Sequence, residues 1–390
     1  MRRLSLILLT LFACSDAPPP AVAWDPTSVE EQLPAVIAAL RAGDADGALA
    51  ELGRLETAGT LPEGAQHYRA LALADAGRSA DALKAFELEL EQHPGNGHAH
   101  ALLSELLIEA GRLQEADEHL VDAREFAPDH PMPKLLSGRL SLLLDEDEQA
   151  QRFFRDFLLQ DPYGPQAVEA HTGLAQIAAR RGGESDPDAQ RHARTADELR
   201  NAHQYLGSYR ERLRVDPQDI EAADGVARVC LSLYQGLGSD ARLLVEAERA
   251  LSHILSIDPV NARALYNLGF VRIEQRRFDD ALEVTVRSLD ADPGFSPARL
   301  NYAKLLELRG EHDQAVAEYE TVIATTDSTS HRARAHYQLI LLFNGMQDIQ
   351  QRARAIPHAK AFIVLEPQDP YGAQELIDEI EAELQAPAGD

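Results

Sequence analysis

Three histidines lie close together in the stretch HPGNGHAHA, residues 93–101. Imidazole nitrogens are common ligands of zinc and other transition metals, so His93, His98 and His100 are the first candidates for a metal site. On a helix, however, His98 and His100 would point about 200° away from each other, whereas residues four apart share a face. The spacing therefore favours three surface histidines, and the sequence predicts no metal site.

Other patterns that could support catalysis are missing from the sequence or have a structural explanation. It contains no P-loop, no GxGxxG opening a βαβ unit, no HExxH, no GxSxG and no CxxCH haem-attachment motif. The acidic run 145–148 is expected in a solvated turn. Cys230 lies among apolar residues of a predicted helix and is expected to be a buried, inert thiol. We therefore expect a protein that is not an enzyme and that has no cofactor.

Another cysteine, Cys14, follows a short apolar segment near the start of the chain. Two arginines precede residues 4–12, which are too few to span a bilayer and have the arrangement of a secretory signal. The stretch LFAC, residues 11–14, resembles the lipobox of bacterial lipoproteins, although Phe12 stands where a small or β-branched residue is usual. The resemblance implies a signal peptide at 1–13 and a lipid on Cys14. An ordinary signal cleavage nearby is the alternative.

The residues after this cysteine indicate where in the cell the protein is expected. Residues 14–28 are rich in proline and are expected to form a linker that holds the rest of the chain away from a membrane. Ser15 follows the cysteine, as in lipoproteins that are sent to the outer membrane. We therefore expect an exported protein that is lipid-anchored in the cell envelope, in the outer membrane and facing the periplasm.

Prolines recur at a regular spacing in the rest of the chain. Intervals of 34 residues separate the prolines of two runs: Pro94, Pro128 and Pro162, then Pro259 and Pro293. Several of them close an apolar segment, as in SLDADPGF, residues 288–295. Proline cannot continue a helix and disfavours helical conformation at the residue before it. The spacing therefore predicts repeated helical units that end at the same position.

Other residues recur in register with these prolines. Gly138 and Gly269 lie in the first helix of their units, and Ala150 and Ala281 in the second. Small side chains at these positions let two helices approach closely, while a large residue such as Phe154 fills the groove toward the next unit. The pattern resembles the tetratricopeptide repeat, a family of 34-residue helix–turn–helix units.

This resemblance implies the fold and its extent. We expect an all-α fold, a right-handed α-solenoid of tetratricopeptide repeats with a C-terminal capping helix. It covers residues 29–386 with about nine repeats, starting with a degenerate unit at 34–56 and ending in an acidic helix at 370–385. Longer proline intervals predict insertions between the two helices of their units, near 182–201, 235–240 and 344–351.

Composition agrees with such a fold and argues against one class of partner. The chain has 45% hydrophobic residues, enough for a large core, and its alanine and leucine content favours helices. The formal net charge is −27, which repels polyanions. We therefore expect no nucleic acid among its partners.

The resemblance also implies where a partner would bind. In solenoids of this family the first helix of each repeat lines the concave surface, and inward-pointing positions there contact the partner. The implied contact residues are Arg263, Tyr266, Phe270, Ile273, Leu300, Lys304 and Tyr337. Aromatic and apolar side chains rimmed by charge suit a peptide or a helix. Packing between adjacent helices is the alternative explanation for the three aromatic residues.

The expected function is a membrane-anchored scaffold that binds protein or peptide partners in the bacterial cell envelope. One alternative is an accessory of an envelope enzyme system that binds a glycan or another non-peptide ligand. Tyr205, Tyr209 and Tyr234, near the insertions, are candidates for that role. Another alternative is a structural solenoid that self-assembles.

Overall fold

The computed structural model describes residues 26–238, 240–369 and 371–385, and every regular element in these residues is an α-helix. The predicted signal peptide, Cys14 and most of the predicted linker lie outside the described residues. The chain divides after Arg200 into two compact units, and this boundary falls within a long helix.

The first unit contains the helices up to that boundary. They are α1 (Pro26–Gln32), α2 (Pro34–Arg41), α3 (Ala45–Thr57), α4 (Ala65–Asp75), α5 (Ser79–Gln92), α6 (Gly97–Glu109), α7 (Leu113–Phe126), α8 (Met132–Leu143), α9 (Asp147–Gln160), α10 (Ala167–Gly182) and the first part of α11 (Pro187–Val215).

The second unit continues α11 and contains the remaining helices. They are α12 (Ile220–Leu237), α13 (Ala241–Ile257), α14 (Ala262–Glu274), α15 (Phe278–Ala291), α16 (Ser296–Leu308), α17 (His312–Thr325), α18 (Thr329–Asn344), α19 (Ile349–Arg352), α20 (Ala355–Leu365) and α21 (Ala373–Gln385).

Successive helices pack as pairs in both units. Examples are α6 with α7, α14 with α15, and α18 with α20. Each pair also packs on its neighbour within the unit, as α7 does on α8 and α15 on α16. The expected all-helical fold built of successive helix pairs is confirmed.

The turn inside several pairs has a residue in the left-handed backbone conformation. Glycine adopts this conformation without strain and occupies the turn in several pairs: Gly43, Gly77, Gly111 and Gly310, with φ between +71° and +78°. Two pairs have another residue at the same repeat position, Asp145 with φ +58° and Arg276 with φ +59°. The glycines that recur in the sequence are thus explained by backbone geometry.

Small residues also recur where helices cross closely. A Cβ atom added at Gly138 of α8 would lie 2.7 Å from the ring of Phe154, and one added at Gly173 of α10 would lie 2.4 Å from it. The Phe154 ring of α9 is fully buried between these two glycines. This packing is the one that the repeat pattern predicts for a small residue facing a large one.

The three insertions differ in structure. The first two lengthen helices, since α11 has 29 residues, α12 has 18 and α13 has 17, against 13 in α14 and 14 in α15. The third contains the four-residue α19 between α18 and α20. None of the helices in the described ranges is both long and apolar enough to cross a membrane.

Candidate functional site

Four of the predicted contact residues share one face of α14. Arg263, Tyr266, Phe270 and Ile273 follow each other at intervals of three or four residues, the spacing of a helix face. Arg263 is exposed and the other three are half-buried, whereas the remaining large apolar side chains of α14 are buried. The helix therefore keeps a stripe of partly exposed aromatic and apolar side chains outside the core.

Tyr266 connects this stripe to the next repeat. Its ring meets that of Phe295 edge to face, with 5.5 Å between the centroids. Phe295 is the residue that precedes the first turn of α16 and is itself half-buried. The aromatic surface thus extends from α14 to the start of α16.

The two predicted residues on α16 have different surroundings. Lys304 is half-buried, and its Nζ lies 2.6 Å from a carboxylate oxygen of Glu307 on the same helix. Leu300 is only 3% exposed and belongs to the hydrophobic core. Leu300 therefore packs in the core instead of lying on an exposed surface, and its role as a contact residue stays a prediction.

Tyr337 on α18 packs in an aromatic cluster with Phe362 of α20 and Tyr371. Its ring centroid lies 4.3 Å from that of Tyr371 and 5.7 Å from that of Phe362. Tyr337 is half-buried, while Tyr371 is 62% exposed. The sequence interpretation missed Tyr371 because it lies outside the repeat positions, in the segment between α20 and α21.

The corresponding surface of the first unit is occupied by an ion-pair network. Arg139 on α8 forms two hydrogen bonds to the carboxylate of Glu169 on α10, at 2.5 and 2.7 Å. The same guanidinium lies 3.3 Å from Glu105 on α6. Three successive first helices are therefore joined by charge, where α14 and α18 carry aromatic side chains.

A cavity of about 790 Å³ opens among the second part of α11, α12 and α13. Leu213, Val226 and Val245 line it, and its charged lining residues include Arg249 and Glu246. Apolar walls with charges of both signs suit an amphipathic ligand. The sequence interpretation did not find this cavity, because it depends on the direction in which the lengthened helices continue.

Two of the tyrosines that were considered for glycan binding have structural roles. The ring of Tyr209 packs against Gly225, where an added Cβ would lie 2.5 Å from it. The hydroxyl of Tyr234 donates a hydrogen bond to Glu274 at 2.9 Å, and its side chain is buried. Tyr205 remains exposed. A glycan site built on these three residues is therefore not supported by their positions.

Cys230 is fully buried on α12. Burial, with a smaller contribution from Glu246, raises the pKa of its thiol to about 12. A thiol with so high a pKa carries almost no thiolate at neutral pH, and it is as inert as the sequence predicts.

Comparison with known proteins finds tetratricopeptide repeats in both units. Residues 73–140 and 272–338 match the model of this repeat family, and these two segments lie in different units. The successive helix pairs of both units agree with that family. Proteins of this family are typically non-catalytic scaffolds that bind peptides or other proteins. None of the curated proteins compared with the chain matches it.

Several solved structures are similar to parts of the chain. A crystal structure of MamA has 21% identity and a TM-score of 0.35, and the match covers 44% of this chain and 94% of that one. PilF of Pseudomonas aeruginosa has 21% identity and a TM-score of 0.34, with 65% and 97% covered. YrrB, described as a protein with an unusual peptide-binding site, has 17% identity and a TM-score of 0.25, with 55% and 96% covered.

Proposed function

We propose that the protein is a membrane-anchored scaffold that binds protein or peptide partners in the bacterial cell envelope. The observation that carries the binding part of this proposal is the stripe on α14. Tyr266, Phe270 and Ile273 stay partly exposed on a helix whose other large apolar residues are buried. Partly exposed aromatic side chains beside a basic residue are typical anchors for a peptide or an amphipathic helix.

The charge of this surface indicates the kind of partner. Arg263 is exposed at the start of the stripe, and Lys304 lies on the neighbouring first helix. Lys304 is already paired with Glu307, so Arg263 is the exposed cation beside the stripe, in a chain whose formal net charge is −27. We therefore expect a partner segment that has apolar anchors and a nearby carboxylate, since a cation favours a carboxylate and the rest of the protein repels it.

The anchoring part of the proposal rests on the sequence alone. Residues 1–13 have the arrangement of a secretory signal, and the stretch before Cys14 resembles a lipobox. The proposed location is the periplasmic face of the outer membrane, with the proline-rich residues after Cys14 acting as a spacer.

Site-specific photocrosslinking in the native host tests the binding surface. One probe replaces Tyr266, and a control probe replaces Glu283, which is exposed on α15, the second helix of the same pair. Crosslinks to one protein from position 266 alone would support the proposal and identify the partner. Equal yields from the two positions, or no protein crosslinks from position 266, would contradict it.

The anchor is tested separately with Cys14→Ala. We expect the variant to lose labelling by a radioactive fatty acid and to leave the membrane fraction. A variant that stayed in the membrane with unchanged processing would contradict lipidation at Cys14. That result would not affect the proposed binding surface, which the crosslinking experiment tests.

A second candidate function is supported by the cavity among α11, α12 and α13. Its apolar walls and its charged lining residues of both signs suit an amphipathic, lipid-like molecule. Native mass spectrometry of the purified protein should then detect a bound small molecule, which Val245→Trp should displace by filling the cavity. Identical spectra for the two proteins would contradict this candidate.

A further inference from the structure

Three helix pairs place a histidine of the first helix against a histidine of the second. The Nδ1 atoms of the two rings are about one hydrogen bond apart in each: His100–His119 at 3.0 Å, His171–His192 at 2.9 Å and His336–His358 at 3.1 Å. The first pair joins α6 to α7, the second α10 to α11, and the third α18 to α20. The same inter-helix junction therefore brings two imidazoles together in three different repeats.

The first pair has a third metal-ligating group beside it. Asp122 lies one helical turn after His119 on α7, and its carboxylate is 3.7 Å from Nδ1 of His100. The ligand atoms of His100, His119 and Asp122 all lie within 4.8 Å of one another. In the part of the chain that the structure describes, this is the only group of three histidine, cysteine or acidic ligand atoms so arranged.

The orientation of His100 is fixed by the backbone. Its Nε2 lies 3.0 Å from the carbonyl oxygen of Pro94, which can only accept a hydrogen bond. Nε2 must therefore carry the proton, and the lone pair of Nδ1 is directed toward His119 and Asp122. In a histidine that binds a metal through one ring nitrogen, the other nitrogen usually donates a hydrogen bond, for example to a backbone carbonyl, and this fixes the orientation of the ring. The His100 side chain is 6% exposed, so it holds this orientation in the packed interior.

The other two groups can be reached from solvent. His119 is half-buried on α7. Asp122 has a side chain that is 45% exposed, which lets an ion and a water molecule reach the site from solvent. Two imidazoles, one carboxylate and one open position are a common ligand set for Zn²⁺.

We propose that His100, His119 and Asp122 form a binding site for a divalent transition-metal ion of the zinc type. Ligands at about 2.0–2.1 Å from a tetrahedral zinc ion are about 3.3 Å from each other. The observed separations of 3.0 Å between the two nitrogens and 3.7 Å between nitrogen and carboxylate lie on either side of this value. All three ligand atoms lie within 4.8 Å of one another, so rotation about the side-chain bonds of Asp122 and His119 would have to bring them to this separation.

The other two pairs lack the third ligand and have cations nearby. The residues one turn after His192 and His358 are Thr195 and Ala361. Burial, followed by Arg191, lowers the pKa of His192 while Asp188 raises it, and burial followed by Arg354 lowers the pKa of His358. These pairs are therefore neutral hydrogen-bonded contacts, and they provide matched controls.

This inference revises the sequence interpretation of residues 93–101. His98 and His100 do not face each other, as their spacing predicts, since the ring of His98 packs on His130 with 4.5 Å between centroids. The prediction of no metal site considered only that stretch. The second histidine lies 19 residues further on, on α7, and the recurrence of such pairs in three repeats was the signal that could have located it.

Isothermal titration of the full-length chain with Zn²⁺ tests the proposal. The wild-type protein should bind one ion at the site, and Asp122→Asn, which changes a partly exposed side chain, should weaken this binding at least about tenfold. His119→Gln should abolish it, and the matched control His358→Gln should leave it unchanged. Circular dichroism melting of each variant without metal verifies that it is folded.

Two results would overturn the proposal. One is a wild-type protein that takes up no Zn²⁺ in the micromolar range, which would leave His100 and His119 as a hydrogen-bonded pair alone. The other is equal affinity of the wild type, Asp122→Asn and His119→Gln, which would place the bound ion on other surface groups.

Discussion

The histidine pair between α6 and α7 and the pair between α18 and α20 have the same geometry but different charges around them. The Nδ1–Nδ1 distances are 3.0 and 3.1 Å, and the ring centroids are 5.1 and 5.3 Å apart. The first pair lies beside Asp122, whereas Arg332 and Arg354 act on the second. The helix pair thus sets the distance between the rings, and side chains about one turn away determine whether a cation can join them.

The largest expected effect comes from making the first pair resemble the second. Asp122→Arg removes a ligand and adds a cation, so we expect the affinity for Zn²⁺ to fall at least about 100-fold. Competition with a chromophoric zinc chelator measures this change. The control Asp117→Arg places the same charge on an exposed part of α7, and a similar loss of affinity there would indicate a general charge effect.

The first helices of the second unit carry an aromatic cluster, whereas those of the first unit carry an ion-pair network. We expect these two groups to contribute differently to the free energy of unfolding. Tyr337→Ala removes the stacking on Tyr371 and Phe362 and should lower the free energy of unfolding by about 2 kcal/mol. Arg139→Met removes a partly exposed ion-pair network and should cost less than about 1 kcal/mol. Urea unfolding measures both. The reverse order would contradict the view that the aromatic cluster is packed more firmly than the charged surface.

The histidine pairs without a third ligand should make stability depend on pH. Burial, together with the partner histidine, lowers the pKa of His171 and of His336 to about 4. The unfolded chain has the ordinary value of about 6.5 and binds more protons between these limits, so stability is full above pH 6.5 and falls as the pH drops toward 4. His336→Gln should reduce the loss between pH 7 and pH 5 by about 1–2 kcal/mol.

Urea unfolding at both pH values checks this prediction. His312→Gln, which changes an exposed histidine at the start of α17, is the control and should keep the wild-type dependence. A variant at position 336 with the full wild-type dependence would show that this pair does not titrate as its burial requires.

The smallest expected effects come from replacing the two non-glycine residues in the left-handed turns by glycine. Arg276→Gly should raise the free energy of unfolding by about 0.5–1 kcal/mol, because glycine has no Cβ strain there. Asp145→Gly should gain less, since aspartate tolerates this conformation better and Asp145 forms an ion pair with Arg180 at 3.0 Å. Thermal unfolding measures both, and a larger gain at position 145 would contradict the ranking.

The repeat pattern predicts the fold because each recurring residue has a local physical role. Prolines end the second helices, Gly77 and Gly111 form the turns, and Gly138 makes room for Phe154. These roles depend on nearby residues within a period of 34, so one sequence is enough to recognise them.

The candidate sites depend on helix rotation and on contacts between helices, which the period does not specify. Leu300 has the repeat position of a contact residue but faces the core. Tyr371 joins the aromatic cluster from outside any repeat helix. His100 meets His119 only because of the register in which α6 crosses α7. The sequence alone therefore indicated a surface of α14 as a candidate, which stays a prediction, and it missed the cavity and the histidine pairs.

The central claim is that the histidine pair between α6 and α7 binds a metal ion and that the pair between α18 and α20 does not. Anomalous diffraction from zinc-soaked crystals of the full-length chain tests this claim most directly. Data collected on both sides of the zinc absorption edge locate the ion without assumptions about its ligands. We predict a peak between Nδ1 of His100, Nδ1 of His119 and the carboxylate of Asp122, and none between His336 and His358. A peak at both pairs, or at neither, would contradict the claim.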